Sequence, residues 1–256
     1  MPILQVDNLA KEYRGKGRKR TNVFRALNGI QLSVESGEFI AIMGPSGSGK
    51  TTLLNILSGI DTDYVGTVSI AGTSISEMSP NDLALFRRQR MGFVFQDYNL
   101  LDSLTLRENM MLPMVLDQQE VDVIHAKTDE MLTLFDLEEV KDKYPYNVSG
   151  GQQQRASIGR ALINDPDVIF ADEPTGNLDS KSSNTVMKCF EKLNSVKGAT
   201  LLMVTHDPFA ASFCRRVIFI KDGVIGHEMI REGNRKSFFD AILESLAVIG
   251  GGEDEL

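Results

Sequence analysis

Apolar and polar positions alternate over Leu4 to Tyr13 and Ala26 to Val34, and shorter apolar runs follow at Phe39 to Met43 and Thr67 to Ala71. These patterns predict several strands gathered in the first third of the chain. One more strand-like run, Met91 to Phe95, stops at Gln96. Beyond Gln96 the spacing becomes helical. Leu104, Leu106, Met110 and Met111 precede Pro113, and Val123, Ile124, Met131, Leu132 and Phe135 mark a second amphipathic segment. The methionines in this stretch read as core filler. Apolar runs return at Val168 to Ala171, Thr200 to Val204 and Val217 to Ile220, separated by helical stretches. That order is the mark of right-handed βαβ crossovers and a parallel sheet. The expectation is an α/β fold interrupted by a helical insertion, with no internal repeat.

The run Phe39 to Met43 leads directly into Gly44-Pro45-Ser46-Gly47-Ser48-Gly49-Lys50-Thr51-Thr52. A strand, then GxxxxGK[ST], then helix formers is the pattern of a phosphate-binding loop, in which successive backbone N–H groups curl around an anion. Glycine is needed because a side chain would block the turn and the close approach. Lys50 supplies a mobile cation for the β and γ phosphates, the Thr51 hydroxyl can ligate Mg²⁺, and the helix from Gly49 aims its positive end at the site. The chemistry expected here is that of a nucleoside triphosphatase.

A second apolar strand, Asp167 to Asp172, ends in a carboxylate and is followed at once by Glu173. Two acids at a strand end suit a metal and a water: Asp172 for the Mg²⁺ shell, Glu173 to orient or deprotonate the attacking water. Between the two strands lies Val148-Ser149-Gly150-Gly151-Gln152-Gln153-Gln154-Arg155, just ahead of the helical pattern Ala156 to Leu162. Ser149 is a good N-cap, and the two glycines bare backbone N–H groups at a helix start, which makes a second anion site.

This run resembles the signature motif of the ABC transporter ATPases, with Val148 where leucine is commoner, and the resemblance covers Leu4 to about Gly251. It implies a P-loop fold with a RecA-like parallel-sheet core, an N-terminal antiparallel β subdomain and an inserted α-helical subdomain. The division over 1–256 would be core and β subdomain at 1–96 and 166–230, helical subdomain at 97–165, and a C-terminal helix with acidic tail at 231–256. The resemblance also implies that Ser149, Gly150, Gly151 and Gln152 of one copy cover the ATP held by Gly44, Ser46, Gly47, Ser48, Gly49, Lys50, Thr51 and Thr52 of another. Gln96 resembles the glutamine that touches Mg²⁺ and water and senses the membrane partner. His206 resembles the histidine that contacts the γ-phosphate. Asp179 resembles an aspartate that signals across the dimer, and it equally suits a helix N-terminus as a favourable charge. Tyr13 resembles the aromatic that stacks on adenine; a tyrosine at a strand end can also simply pack.

The stretch Asp172 to Asp179, read as Asp-Glu-Pro-Thr-Gly-Asn-Leu-Asp, resembles the branch of macrolide-export and lipoprotein-release ATPases. Phe95 to Asp102, Thr205 to Pro208, Phe213-Cys214, Arg216 to Gly223 and Phe238-Phe239 are similar to the bacitracin-resistance type. Such ATPases pair as homodimers beneath one large permease on the cytoplasmic face of the membrane, commonly alongside a sensor histidine kinase.

Bulk composition narrows the classes. A net charge of -8 gives the long-range field the wrong sign for broad attraction to nucleic acid or anionic lipid, and no nucleic-acid partner is expected. No apolar run approaches the roughly 20 residues that span a bilayer. No charged and apolar opening suggests a secretory signal, and Cys189 and Cys214 suggest no disulfide framework. The basic run Arg14 to Arg20 reads as an exposed connector, solvated or in contact with a partner or lipid headgroups. The end Gly250 to Leu256 reads as a frayed acidic tail.

Overall fold

Strands Leu4–Arg14 (β1) and Val23–Val34 (β2) pair antiparallel, as their alternating apolar positions require. In the computed structural model, which describes residues 2–14 and 23–250, Phe39–Met43 (β3) follows and leads into helix Lys50–Leu57 (α1). Next come Val65–Ile70 (β4), the short Thr73–Ser74 (β5), helix Pro80–Arg90 (α2) and Met91–Val94 (β6). The helical stretch contains Leu106–Leu116 (α3), Val121–Leu134 (α4) and Gly150–Leu162 (α5). The chain then alternates through Val168–Asp172 (β7), Ser180–Lys197 (α6), Leu201–Val204 (β8), Pro208–Ala211 (α7), Arg216–Lys221 (β9) and Val224–Ile230 (β10), and ends in Arg235–Gly250 (α8). The basic run beyond Arg14 and the acidic end from Gly251 lie outside the described residues.

Two sheets result. One is antiparallel, in the order β2-β1-β4-β5; the other has the order β10-β9-β3-β8-β7-β6, parallel except for β10. Side chains leave successive residues of a strand on opposite faces, and β3 divides accordingly. Ile40 and Ile42 join a core with α1 and with Leu4, Val6 and Leu27 of the antiparallel sheet. Phe39, Ala41 and Met43 join the helices on the other face, where Phe39 meets Phe190 of α6 with ring centroids 6.2 Å apart.

The register puts the chemistry at one edge. Ile42 and Asp172 both pair with Val204, so β3, β7 and β8 end level with one another and release Gly44, Glu173 and His206 on the same side. Carboxyl ends of parallel strands are where open α/β sheets bind ligands. Pro113 lies inside α3 instead of ending it. The helix starts in a capping box between Thr105 and Glu108, and the buried Asn109 amide donates to the carbonyls of Leu101, Leu104 and Thr105, tying the helix to its preceding loop.

Candidate functional site: a nucleotide-binding loop and its acids

β3 is buried along its whole length, and α1 begins at Lys50, so the six residues between them must reverse within a tight loop. Gly44 has φ 153° and Gly49 φ 101°, and a β-carbon at either would press into a main-chain carbonyl, of Ile220 or of Ala26. Only glycine fits. Gly49 is the N-cap of α1 and offers no side-chain acceptor, so the first N–H groups of the helix stay available for an anion. The Lys50 ammonium folds back on the loop, donating to the carbonyls of Gly44 and Pro45, each at 2.8 Å. Burial pushes the Lys50 pKa down, while the carboxylates of Glu173 and Asp172 pull it back up.

A cavity of about 390 Å³ opens over this loop. Gly44, Ser46, Gly47, Gly49, Lys50, Thr51 and Thr52 line one side, and Glu173 and His206 close the other. Ser48, also of this loop, is buried.

Asp172 ends β7, and burial raises its carboxyl above the usual range; Glu173 adds to the rise and Lys50 opposes it. Glu173 has a left-handed backbone, φ 44°, uncommon for a residue with a side chain. The fold holds it there: its N–H donates to Val204 O at 2.9 Å, and its carbonyl accepts from Gly176 N at 2.9 Å. Its carboxylate is just as firmly placed. Oε2 accepts from the Thr205 hydroxyl at 3.1 Å and from His206 N at 3.3 Å, and Oε1 lies 2.8 Å from His206 Nδ1. The Glu173 side chain is 16% exposed and that of His206 72%, so the acid is sheltered while the imidazole faces open space. Both residues also line a second cavity of about 730 Å³, with Ser180, Asn184 and Asp207. Glu173 and His206 thus stand between the loop and a further open surface.

The helix start read as a second anion site has the N-cap that the sequence suggests. Ser149 caps α5, its hydroxyl accepting from Gln152 N at 3.3 Å while Gln152 Oε1 accepts from Ser149 N at 2.9 Å. Neither these residues nor Gly150 and Gly151 are among those lining the loop cavity. Asp179 caps α6 through the N–H groups of Lys181 and Ser182. Gln96 also lies away from the loop cavity, donating to Asn177 Oδ1 at 3.2 Å. Tyr13 is exposed, with its hydroxyl 3.4 Å from Asp61 Oδ2 and the Lys11 ammonium 5.0 Å from its ring centre.

Sequence reasoning passed over Phe24. It pairs across the strands with Tyr13, is exposed, and lines the loop cavity. The available signal was an aromatic at the mouth of a strand that leads to Ala26, beneath which Gly49 packs. Gln154, also passed over, is wholly buried in α5.

A family model described as ABC transporter matches residues 27–176. The ABC transporter ATP-binding protein YvcR of Bacillus subtilis is 51% identical over 251 residues, 98% of this chain and 96% of that one. The bacitracin export ATP-binding protein BceA of Halalkalibacterium halodurans is 46% identical over 256 residues, 100% of both chains. Among solved structures, the ATP-binding cassette MJ0796, dimeric in a post-hydrolysis state with ADP and Pi, has a TM-score of 0.80 and 38% identity, over 90% of this chain and 99% of that chain. A glycine-bounded loop of the phosphate-binding pattern, a sheltered acid beside it and these likenesses have one meaning: the chain belongs to the ABC transporter family, as an ATP-binding and ATP-hydrolysing subunit.

Proposed function

We propose that two copies of the chain enclose two ATP molecules, each gripped by the Lys50 loop of one copy and by the Ser149-capped helix of the other. The observation that carries this reading is the separation of the two anion sites. The loop cavity is bounded by Lys50, Glu173 and His206, while the capped start of α5 contributes nothing to it. A second copy completes the site. Glu173 then takes the proton of the attacking water, held in place by Thr205 and His206, and His206 reaches toward the γ-phosphate from its exposed position. Thr51 and Asp172 form a set of oxygen donors suited to Mg²⁺, which ordinarily binds through one or two carboxylates together with substrate phosphates. Mg²⁺ would neutralise the charge that develops between the β and γ phosphates. Gln96 and Asp179 would report on the nucleotide, within the subunit and across the pair, and Tyr13 would stack on adenine.

The test is Ser149→Ala, which removes the cap acceptor. ATP-dependent dimerisation should weaken by about fivefold, in line with the ~1 kcal/mol typical of a lost cap. ATP binding to the monomer should change by less than about twofold, because the capping residues line no part of the loop cavity. Equal loss of both would overturn the shared-site reading.

The chain serves as a single ATP-binding unit, peripheral on the cytoplasmic face of the membrane, coupled to an integral permease. An apolar groove of about 530 Å³ favours one place for that contact. Phe95 and Asn99, on either side of Gln96, line it with Pro113 and Leu116 of α3, and Arg87, Arg88 and Arg160 ring it with positive charge. An apolar permease segment carrying acidic groups suits such a lining. A photo-crosslinker at Leu116, which is exposed, should capture the permease in native membranes. Crosslinks that avoid this groove and the stretch Gln96 to Leu106 would refute the docking. By likeness to the bacitracin export protein, the transporter handles peptide antibiotics, with a sensor histidine kinase reached through the permease.

A further inference from the structure

Gln154 lies in the second turn of α5 with none of its surface exposed. It shares the inward face of the helix with Gly151, Ser157 and Ile158, all buried. Its side-chain amide nitrogen donates to two main-chain carbonyls that belong to different loops: Phe95 O at 3.2 Å and Pro174 O at 2.7 Å. Phe95 immediately precedes Gln96, and Pro174 immediately follows Glu173. One amide therefore joins the helix capped by Ser149 to both loops that flank the reacting centre.

Packing alone does not explain a glutamine here. Its Oε1 is buried without a partner among the described residues, and a methionine of similar length would fill the space without an orphaned acceptor. Turning the amide over would set Oε1 against two carbonyl oxygens, so its orientation follows from what it holds. Adjacent bonds make the same connection. Arg160 of α5 donates to Tyr98 O at 2.9 Å and Asn99 O at 2.5 Å, and the Asn177 amide donates to Asp97 Oδ1 at 2.8 Å. The left-handed backbone of Glu173 needs such support, since an unfavourable φ persists only where neighbouring bonds over-determine it.

We propose that Gln154 is a positioning residue for hydrolysis: it fixes the carbonyls beside Gln96 and Glu173, so that nucleotide seated at the start of α5 aligns the water-activating acid within the same subunit. This rests on the assignment of Glu173 as the base, and it goes further by giving α5 a task inside its own chain as well as across the pair. No proton or electron passes through Gln154. Its contribution is to geometry alone, where a displacement of about 1 Å can cost ~10²-fold in rate.

The test uses the full-length chain and steady-state phosphate release, with Glu173→Gln run in parallel. Gln154→Met keeps the volume and removes both donors; kcat should fall ~10-fold while KM stays within about twofold, and thermal unfolding should drop by a few degrees, with the chain still folded at the assay temperature. Gln154→Glu adds a readout that a packing role would not move. A neutral carboxyl can donate one hydrogen bond, whereas a carboxylate faces two carbonyl oxygens and is repelled, so activity relative to wild type should climb as the pH falls from about 8 to about 6. The Gln154→Met ratio should stay flat over that range. Wild-type kcat in Gln154→Met, or a Gln154→Glu ratio that ignores pH, overturns the proposal while leaving Glu173 its role if Glu173→Gln is inactive. Undiminished hydrolysis by Glu173→Gln removes the base assignment, and the positioning role with it.

Discussion

Replacing Glu173 with glutamine is expected to lower ATP turnover by about 10²- to 10⁴-fold, the usual contribution of a positioned proton acceptor, while ATP binding is kept. The substitution is gentle for the fold. The amide oxygen can still accept from the Thr205 hydroxyl and His206 N, which hold Oε2 at 3.1 and 3.3 Å, and the side chain keeps its size in a mostly sheltered position. What disappears is the carboxylate oxygen 2.8 Å from His206 Nδ1, the atom that would receive a proton in the proposed mechanism. Since the enclosed pair would separate only after hydrolysis, the variant should accumulate as a dimer with saturating Mg-ATP. Sedimentation and phosphate release on one preparation check both halves. A monomer under those conditions, or hydrolysis at the wild-type rate, would contradict the mechanism.

The left-handed backbone of Glu173 fits this role. A residue held at φ 44° stores strain that the loop repays through the bond its N–H donates to Val204 and through those donated by Gly176 to Glu173 and, one residue on, by Gln154 to Pro174. Relaxing that strain would swing the carboxylate away from Lys50 and His206. In the proposed mechanism the rigidity of the loop therefore counts as much as the acid does.

Much of this could be seen in the chain before folding. The continuous apolar runs became β3, β7, β8 and β9 because strands buried on both faces leave no polar alternation to misread, and the phosphate loop follows from glycine spacing at the end of one of them. Elements whose burial is slight were harder. α2 buries only Leu83 and carries three arginines in its last turn, so it leaves no apolar stripe to find. β10 is mostly exposed at a sheet edge, and its pairing with β9 shows only in three dimensions. At the site, the N-cap Ser149 was legible because a cap is local, resting on one residue and the few that follow it. Gln154 was not, because its partners lie 59 and 20 residues away. A polar residue on the apolar face of α5, three and four positions before buried Ser157 and Ile158, was the one available sign. Phe24 was hidden for the same reason: its place over the loop depends on strand pairing with Tyr13.

Lys50→Ala should produce the converse of Glu173→Gln, losing nucleotide before chemistry is reached. Hydrogen bonds to charged groups are worth roughly 1.5–3 kcal/mol, so removal of the ammonium should weaken ATP binding by about 10- to 100-fold. Turnover at saturation should fall by a further ~10²–10³-fold, because the same cation faces charge that grows in the transition state. The free protein should not suffer. Among the described residues the ammonium donates to the carbonyls of Gly44 and Pro45, and burial already disfavours its charge, as its lowered pKa indicates. Lys50 is a half-buried cation that shares the loop cavity with Glu173 and feels the negative charge of both Glu173 and Asp172, and in the proposed mechanism the phosphates of ATP would add to that charge. Equilibrium binding of a fluorescent ATP analogue, read beside thermal unfolding of the free variant, separates the two effects. A variant that unfolds like wild type, binds poorly and fails to dimerise is the expected result; one that binds ATP with undiminished affinity would show that the glycine-bounded N–H groups hold the phosphates without the lysine.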